Sequence, residues 1–234
     1  MNSGILTIDD VPSLNTPAIV DYLNCHGITA IMFAEGNRVR QYYDNAIYAL
    51  QHGMILGNHS YHHPSFSSIT PKQCIEEIEA CETVLNQLYR DAGVERKYRP
   101  FRFPYGDKGG DNHVFLQDYL RAHSFTKVKD TQLGYPWWHE NHLDEEIDTL
   151  WSYDFAEYRV RPNSGFTMED VFAKMNDLDP SQGAALFGEG NRHILLLHAH
   201  DETEDLAPGY YRNMLDYLLA KGFVFEKPEF ISAE

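Results

Sequence analysis

Short apolar segments alternate with longer amphipathic segments along almost the whole chain of 234 residues. The apolar segments have the length of buried β-strands, and the amphipathic ones carry apolar residues at helical spacing. The predicted strands are 4–8, 28–34, 54–58, 98–103, 125–130, 148–154, 193–199 and 222–226, and the predicted helices are 16–27, 37–53, 70–93, 112–124, 167–178 and 208–221. Such alternation is typical of parallel βαβ units. We therefore expect an α/β fold that closes into a barrel, as a single domain over residues 1–234.

Two segments stand out from this alternation. Residues 70–93 form the clearest predicted helix, with Thr70 as the N-terminal cap and Gly93 at the C-terminal end. Residues 134–146, GYPWWHENHLDEE, interrupt the rhythm and are predicted to be a long loop. Plain packing is the simpler expectation for the two tryptophans of this loop, although exposed rings there could stack on sugars.

The net charge of −16 limits the kinds of partner that this chain can bind. Such a charge repels phosphate backbones and anionic lipids, so we expect neither a nucleic acid nor a membrane as partner. No run of 18 or more apolar residues is present. The first ten residues also lack a basic region followed by a long apolar run, so no signal peptide is visible. We expect a cytoplasmic protein, or a secreted one if a leader has been removed. The oligomeric state is left open.

Residues suited to catalysis or binding lie at the ends of five predicted strands or directly after them. In chain order these residues are Asp9 and Asp10; His59 and His63; Arg102, Pro104 and Tyr105; Asp154 and Glu157; and His198. The carboxyl ends of parallel strands meet at one face of an α/β fold. Each residue alone is more often structural than functional, but together they predict a site on that face.

His59 and His63, together with one carboxylate, form a ligand set suited to Zn²⁺, Co²⁺, Mn²⁺ or Fe²⁺. A cation held in this way lowers the pKa of a bound water, which becomes a usable nucleophile near neutral pH. Asp9 and Asp10 are adjacent, and neighbouring side chains of an extended segment point in opposite directions. We therefore expect different roles for them, one binding the cation and the other taking a proton.

Two further residues fit proton-transfer chemistry. Arg102, if it lies near Asp9, would keep that carboxylate ionised and oriented. His198 could protonate a leaving amine or alkoxide, with a neighbouring acid to hold its tautomer.

Four motifs resemble, in order, those of the polysaccharide deacetylases, the NodB-homology domains of carbohydrate esterase family 4. They are TIDD (7–10), HSYHHP (59–64), RFPY (102–105) and LLLH (195–198). The resemblance implies a distorted (β/α)₇-type barrel and a hydrolase that removes N-acetyl or O-acetyl groups from sugars. It also implies a divalent metal ion, with zinc preferred and cobalt, manganese, nickel or iron as alternatives.

The resemblance assigns roles to individual residues. Asp9 would be the general base, oriented by Arg102, and His198 would be the general acid. The metal ligands would be Asp10, His59 and His63. The backbone N–H of Tyr105 would stabilise the oxyanion. Leu196, Tyr105 and Pro104 would contact the substrate.

This chain departs from the family pattern at two places. Val11 stands where glycine usually follows the paired aspartates, and Glu157-Tyr158 stands where Asp-Trp is expected. Either Glu157 or Asp154 could therefore be the acid that tunes His198. The substrate would be an acetylated carbohydrate or another small amide. The alternatives are a hydrolase of a linear or cyclic amide or imide, and a non-catalytic carbohydrate-binding relative.

Overall fold

The structure of the protein is a computed structural model in which residues 1–231 are described. Its strands are β1 (Ser3–Val11), β2 (Ala30–Ala34), β3 (Ile55–Asn58), β4 (Lys127–Val128), β5 (Tyr153–Asp154), β6 (Arg192–His198), β7 (Val224–Phe225) and β8 (Phe230–Ile231). Its α-helices are α1 (Thr16–Cys25), α2 (Gly36–Gln41), α3 (Tyr43–Gln51), α4 (Pro71–Ala92), α5 (His113–Ala122), α6 (Pro136–Glu140), α7 (Met168–Met175), α8 (Asp201–Leu206) and α9 (Tyr210–Ala220). The end of the predicted single domain, residues 232–234, lies outside the described residues.

A parallel sheet forms the centre of the molecule and confirms the predicted α/β class. Its strands follow the order β3-β2-β1-β6-β5, and β7 pairs with the start of β1. β1 is buried over all nine residues, because it lies between β2 and β6 and is covered on both sides. A strand buried on both faces has the continuous apolar character that marks this segment in the sequence.

Irregular segments continue the wall of the sheet beyond β3. The amide of Arg102 donates to the carbonyl of Asn58 (3.0 Å), and the amide of Thr149 donates to the carbonyl of Phe101 (2.8 Å). The chain after Thr149 leads directly into β5, which pairs with β6, so backbone hydrogen bonds run around a distorted barrel. The predicted strand 98–103 is wrong as a regular strand, since it contributes only one isolated bridge, between Phe101 and Asn58.

Other predicted elements are shorter or divided. The segment 125–130 is reduced to β4, which pairs antiparallel with β8 instead of joining the parallel sheet. The predicted helix 37–53 is divided into α2 and α3 at Tyr42, whose backbone (φ −121°, ψ 48°) is not helical. The predicted loop 134–146 contains α6. Its two tryptophans pack against the apolar cluster inside the barrel, which explains why this segment is not an extended loop.

Side-chain alternation along the strands determines what faces the inside of the barrel. Leu6 and Ile8 of β1 point outward into the apolar cluster shared with the helices. Thr7 and Asp9 therefore point inward. β6 pairs with β1 in register, with His198 opposite Asp9, so the last inward positions of both strands carry polar groups.

The longest of the described helices, α4, confirms the sequence prediction at both ends. The hydroxyl of Thr70 accepts from the amide of Gln73, and the Gln73 side chain accepts from the amide of Thr70. Gly93 follows the helix with φ 69°, a conformation that favours glycine. Within residues 1–231, no helix combines the length and the apolar character needed to cross a membrane.

Candidate metal and catalytic site

A cavity of about 210 Å³ opens at the carboxyl ends of the parallel strands. It is lined by Asp9, Asp10, His59, His63, Tyr105, Trp151, Asp154, Tyr158, Leu196, His198 and His200. Most of the residues predicted from the strand ends therefore meet in one place. Arg102 and Glu157 lie behind this lining, where each contacts one of its members.

Asp10, His59 and His63 bring three ligand atoms together at one side of the cavity. Nε2 of His63 lies 3.2 Å from Nε2 of His59 and 3.3 Å from Oδ1 of Asp10, which in turn lies 3.6 Å from Nε2 of His59. Atoms that share one cation at about 2.0–2.2 Å are expected at such separations. Oδ1 of Asp10 is buried and has no hydrogen-bond partner in the described part of the chain. The donor set therefore fits a divalent cation.

Strained loop geometry aims these side chains. Asp10, Ser60 and His63 all have φ near +60°, a conformation that costs a residue other than glycine of the order of 1–3 kcal/mol. Hydrogen bonds offset part of this cost, because the amide of His63 donates to Oγ of Ser60 and the amide of Ser60 donates to Oδ1 of Asn58. Nδ1 of His59 donates to the carbonyl of Arg102 at 2.8 Å, which leaves Nε2 directed at the other two ligand atoms.

The electrostatics of the cluster favour the ligand forms of its side chains. Burial lowers the pKa of His63, so that its imidazole is neutral near pH 7. Burial alone would raise the pKa of Asp10. The hydrogen bond with His200 and the neighbouring imidazoles outweigh that effect and hold the pKa well below its usual range.

Asp9 and Arg102 form a buried ion pair beside the cluster. Nη1 of Arg102 lies 2.7 Å from Oδ1 of Asp9 and 2.8 Å from Oγ1 of Thr7. Nε of Arg102 donates to the carbonyl of Thr149, and the guanidinium lies over the ring of Phe33, 4.4 Å from its centroid. Oδ2 of Asp9 stays directed toward the cluster, 3.5 Å from Nε2 of His59. The contact that the sequence predicts between these two residues is present.

His198 contacts Glu157 on the opposite side of the cavity. Nδ1 of His198 donates to Oε1 of Glu157 at 3.0 Å, and the His198 backbone amide donates to the same oxygen at 2.6 Å. Burial lowers the pKa of His198, but the charge and hydrogen bond of Glu157 outweigh burial and raise it to about 10. Asp154 instead accepts from the amide of Ala156 at 2.7 Å. Of the two acids left open by the sequence, Glu157 is therefore the one that holds His198.

Apolar and aromatic side chains form the rest of the lining. Leu196 lines the cavity, and the ring of Tyr158 lies 4.7 Å from that of His198. The Tyr105 side chain is 70% exposed at the rim, with its ring 4.5 Å from that of His63. Pro104 is buried in the turn and is not among the residues that line the cavity, so its substrate contact stays a prediction.

The sequence prediction included neither Trp151 nor Tyr158 among the site residues, and it also missed His200. Its Nε2 lies 2.5 Å from Oδ2 of Asp10, the oxygen that does not face the other two ligands. The signal in the sequence was the H-A-H spacing at the end of β6. One histidine among 12, two residues beyond His198, does not by itself indicate a contact with Asp10.

The fold and this arrangement define a class: α/β barrels with a carboxylate and imidazole site at the carboxyl ends of parallel strands. The chain belongs to the polysaccharide deacetylase family, whose sequence model matches residues 2–123, just over half of the chain. This match confirms the resemblance seen in the motifs.

Known proteins of this family resemble this chain over different fractions of its length. A peptidoglycan-N-acetylglucosamine deacetylase of Bacillus cereus is 33% identical over 103 residues, which are 44% of this chain and 36% of that protein. This chain thus matches only about a third of the length of that relative. The structure of a polysaccharide deacetylase from Bacillus cereus is similar with a TM-score of 0.66 and 19% identity, and it covers 97% of this chain and 91% of that one.

The same fold also occurs without catalysis. A carbohydrate esterase family 4 pseudoenzyme from Bacillus anthracis has a TM-score of 0.59 and 21% identity, over 95% of this chain and 63% of that one. At these identities the likeness shows the fold alone. Any statement about activity therefore depends on the side chains of this chain's own site.

Proposed function

We propose that this protein is a metal-dependent hydrolase that removes an acetyl group, N-linked or O-linked, from a carbohydrate or a sugar-like substrate. The observation that carries the proposal is the meeting of three ligand atoms between Asp9 and His198; one of them is a buried oxygen without a hydrogen-bond partner among residues 1–231. A site with a cation, a base and an acid has the groups that amide or ester hydrolysis requires.

The cation would be held by Asp10, His59 and His63. Zinc is our first choice, because two imidazoles and one carboxylate form an open site of the kind found in zinc hydrolases. Cobalt, manganese, nickel and iron are alternatives. When bound, the metal supplies Lewis acidity: it polarises the acyl carbonyl and makes water a better nucleophile at neutral pH.

Asp9 is the proposed general base. Its Oδ1 is occupied by Arg102, so only Oδ2 is available to take a proton from the attacking water. Arg102 is 1% exposed and is fixed by three hydrogen-bond acceptors, so it orients the carboxylate without competition from solvent. A base that is fixed in this way needs little reorganisation during the reaction.

His198 is the proposed general acid. The bond from its Nδ1 to Glu157 leaves Nε2 as the nitrogen that can give a proton to the leaving amine or alkoxide. The raised pKa of His198 supports this role, because the imidazole is then protonated at neutral pH.

Two groups would act on the acyl part of the substrate. Within residues 1–231 the backbone N–H of Tyr105 donates no hydrogen bond to another backbone group, so it is available to an oxyanion. Leu196 offers an apolar wall to the methyl group of an acetyl. Together they favour a small acyl group.

The rim supports a carbohydrate as the leaving part. Tyr105, Trp151 and Tyr158 are among the residues that line the cavity, and aromatic faces of this kind pack against sugar rings. The net charge of −16 favours a neutral or cationic substrate over a polyanion. The similarity to a peptidoglycan-N-acetylglucosamine deacetylase makes acetylated amino sugars the first substrates to test.

The test is release of acetate from a panel of substrates, with chelated protein and with added Zn²⁺, Co²⁺ or Mn²⁺. The panel contains N-acetylglucosamine oligomers, acetylated xylan, a simple acetyl ester and a cyclic imide. Metal-dependent acetate release is the expected result and ranks the substrates. Turnover of the imide alone would favour the non-sugar amide alternative. No turnover with metal bound would favour a non-catalytic carbohydrate-binding relative.

A further inference from the structure

His200 lies between the proposed metal ligand Asp10 and an arginine. Its Nε2 is 2.5 Å from Oδ2 of Asp10, and its Nδ1 is 2.6 Å from Nη2 of Arg161. The three side chains thus form a chain that leads away from the ligand cluster.

Arg161 determines which nitrogen of His200 carries the proton. A guanidinium can only donate, and it stays protonated in proteins. Nδ1 of His200 must therefore accept from Arg161, and Nε2 must carry the hydrogen that is donated to Oδ2 of Asp10. In this arrangement the imidazole holds Oδ2 of Asp10 and leaves Oδ1 for the cation.

Two residues of α8, the helix that follows His200, hold the Arg161 side chain. Its Nη1 donates to Oγ1 of Thr203 at 2.8 Å, and its Nε lies 3.0 Å from Oε2 of Glu202. Thr203 is fully buried, so this anchor belongs to the packed part of the fold.

The same helix also holds the loop after β1. The carboxylate of Asp201 accepts from the backbone amides of Leu14 at 3.2 Å and Asn15 at 3.0 Å. Asp10 is therefore connected to α8 twice, through the chain that follows it and through His200.

His200 is not placed as a fourth ligand. The ligand atoms of Asp10, His59 and His63 all lie within 4.8 Å of one another, and no nitrogen of His200 belongs to that group. Both of its nitrogens already have partners. Its hydrogen bond to the ligand cluster is made through Asp10, and its ring also lies 5.4 Å from that of His198.

We propose that His200, fixed by Arg161, is a positioning residue that holds Asp10 in the orientation needed to bind the divalent cation. This inference rests on the proposed function, because it requires the cluster to bind a metal. The expected consequence is that the hydrogen bond from His200 raises the metal affinity of the site.

The experiment measures Zn²⁺ and Co²⁺ affinity of the full chain by competition with a chromophoric chelator. His200→Ala is expected to weaken binding by about 10–100-fold, the usual effect of removing a hydrogen-bond partner of a ligand. His200→Gln, whose side-chain N–H can reach the same oxygen, is expected to recover most of that loss. Arg161→Met keeps the imidazole but frees its tautomer, and should give an intermediate affinity. His142→Ala, at an exposed position paired with Glu145, is the matched control and should bind like wild type.

The absorption spectrum of the Co²⁺-loaded protein gives a second readout of ligand geometry. It should change in His200→Ala and stay like wild type in His200→Gln and His142→Ala. Thermal unfolding of each metal-free variant verifies that the fold is kept. If His200→Ala does not fold, the metal affinity of Arg161→Met is the test instead. Wild-type affinity in Arg161→Met would then overturn the positioning role of His200 and Arg161.

Two negative results have different meanings. If wild type binds neither ion, the proposed metal site itself is wrong. If wild type binds and His200→Ala binds equally well with an unchanged spectrum, only the positioning role of His200 is overturned.

Discussion

Arg102 fixes Asp9 through its side chain and His59 through its backbone. Its Nη1 donates to Oδ1 of Asp9 at 2.7 Å, and its carbonyl accepts from Nδ1 of His59 at 2.8 Å. One residue on an irregular part of the barrel wall thus orients both the proposed base and a proposed metal ligand. Because Arg102 is almost fully buried, water cannot replace either contact.

Replacement of Arg102 by methionine should be costly to the fold. The change leaves the Asp9 carboxylate buried without its partner, and loss of one member of a buried pair costs about 3–5 kcal/mol. Urea unfolding of Arg102→Met and of wild type measures the difference in the free energy of unfolding. The double variant Asp9→Asn/Arg102→Met should lose less than the sum of the two single changes. Strict additivity would contradict the coupling of this pair.

Replacement of Glu157 by glutamine should move the alkaline limb of the activity profile to lower pH. His198 acts as an acid only while it is protonated, and the charge of Glu157 is the main reason that its pKa is raised. The measurement is kcat/KM against pH for wild type, Glu157→Gln and the exposed control Glu145→Gln. An alkaline limb that stays in place in Glu157→Gln would contradict the assignment of the acid.

The same pair makes stability depend on pH in a defined direction. A histidine whose pKa is raised in the folded state stabilises the fold fully below the unfolded value of 6.5. This contribution should be lost as pH rises from 6.5 toward 10. The stability difference between wild type and Glu157→Gln should therefore shrink over that range, as measured by chemical unfolding at several pH values. A stability difference that grows as the pH rises would contradict a raised pKa of His198 in the folded state.

Replacement of His63 by alanine should remove metal binding while the fold is kept. One of three ligands is lost. Zn²⁺ affinity should therefore fall by more than the roughly 100-fold that is the largest usual effect of removing a residue that only hydrogen-bonds to a ligand. His62→Ala is the matched control, because the neighbouring His62 is exposed and pairs with Glu77 away from the cluster. Equal Zn²⁺ affinities of the two variants would exclude His63 as a ligand.

Replacement of Thr70 by alanine should reduce stability without affecting the site. The capping box at the start of α4 would be lost, at a cost of about 1 kcal/mol. Thermal or urea unfolding measures this loss, while kcat and metal affinity should remain at wild-type values. A change in either of these would indicate that α4 is coupled to the cavity.

Much of the fold and site could be predicted because the signals are local. β1 and β6 are continuous apolar segments that end in polar residues, and their carboxyl ends necessarily meet in a parallel sheet. The alternation of side chains then places Asp9 and His198 inside the barrel. The Thr70 and Gly93 signals of α4 depend only on nearby residues and were also correct.

The features that the sequence did not predict depend on long-range contacts. The segment 98–103 has strand-like composition, but only Phe101 forms a bridge to β3. The choice between Glu157 and Asp154 follows from the left-handed turn at Ala156, which makes Asp154 accept from the amide of that residue. Nothing local in the sequence distinguishes His200 from the other histidines among the 12, because its role follows from its long-range contact with Asp10. The zinc preference and the cytoplasmic location stay predictions.

The most direct test of the account is acetate release from N-acetylglucosamine oligomers by chelated protein reloaded with one equivalent of Zn²⁺. Wild type and Asp9→Asn are measured side by side at equal bound metal. We expect wild type to release acetate only when metal is present, and Asp9→Asn to bind Zn²⁺ equally well and release almost none. Metal-independent release by wild type, or wild-type turnover by Asp9→Asn, would contradict a metal-dependent deacetylase with Asp9 as its base.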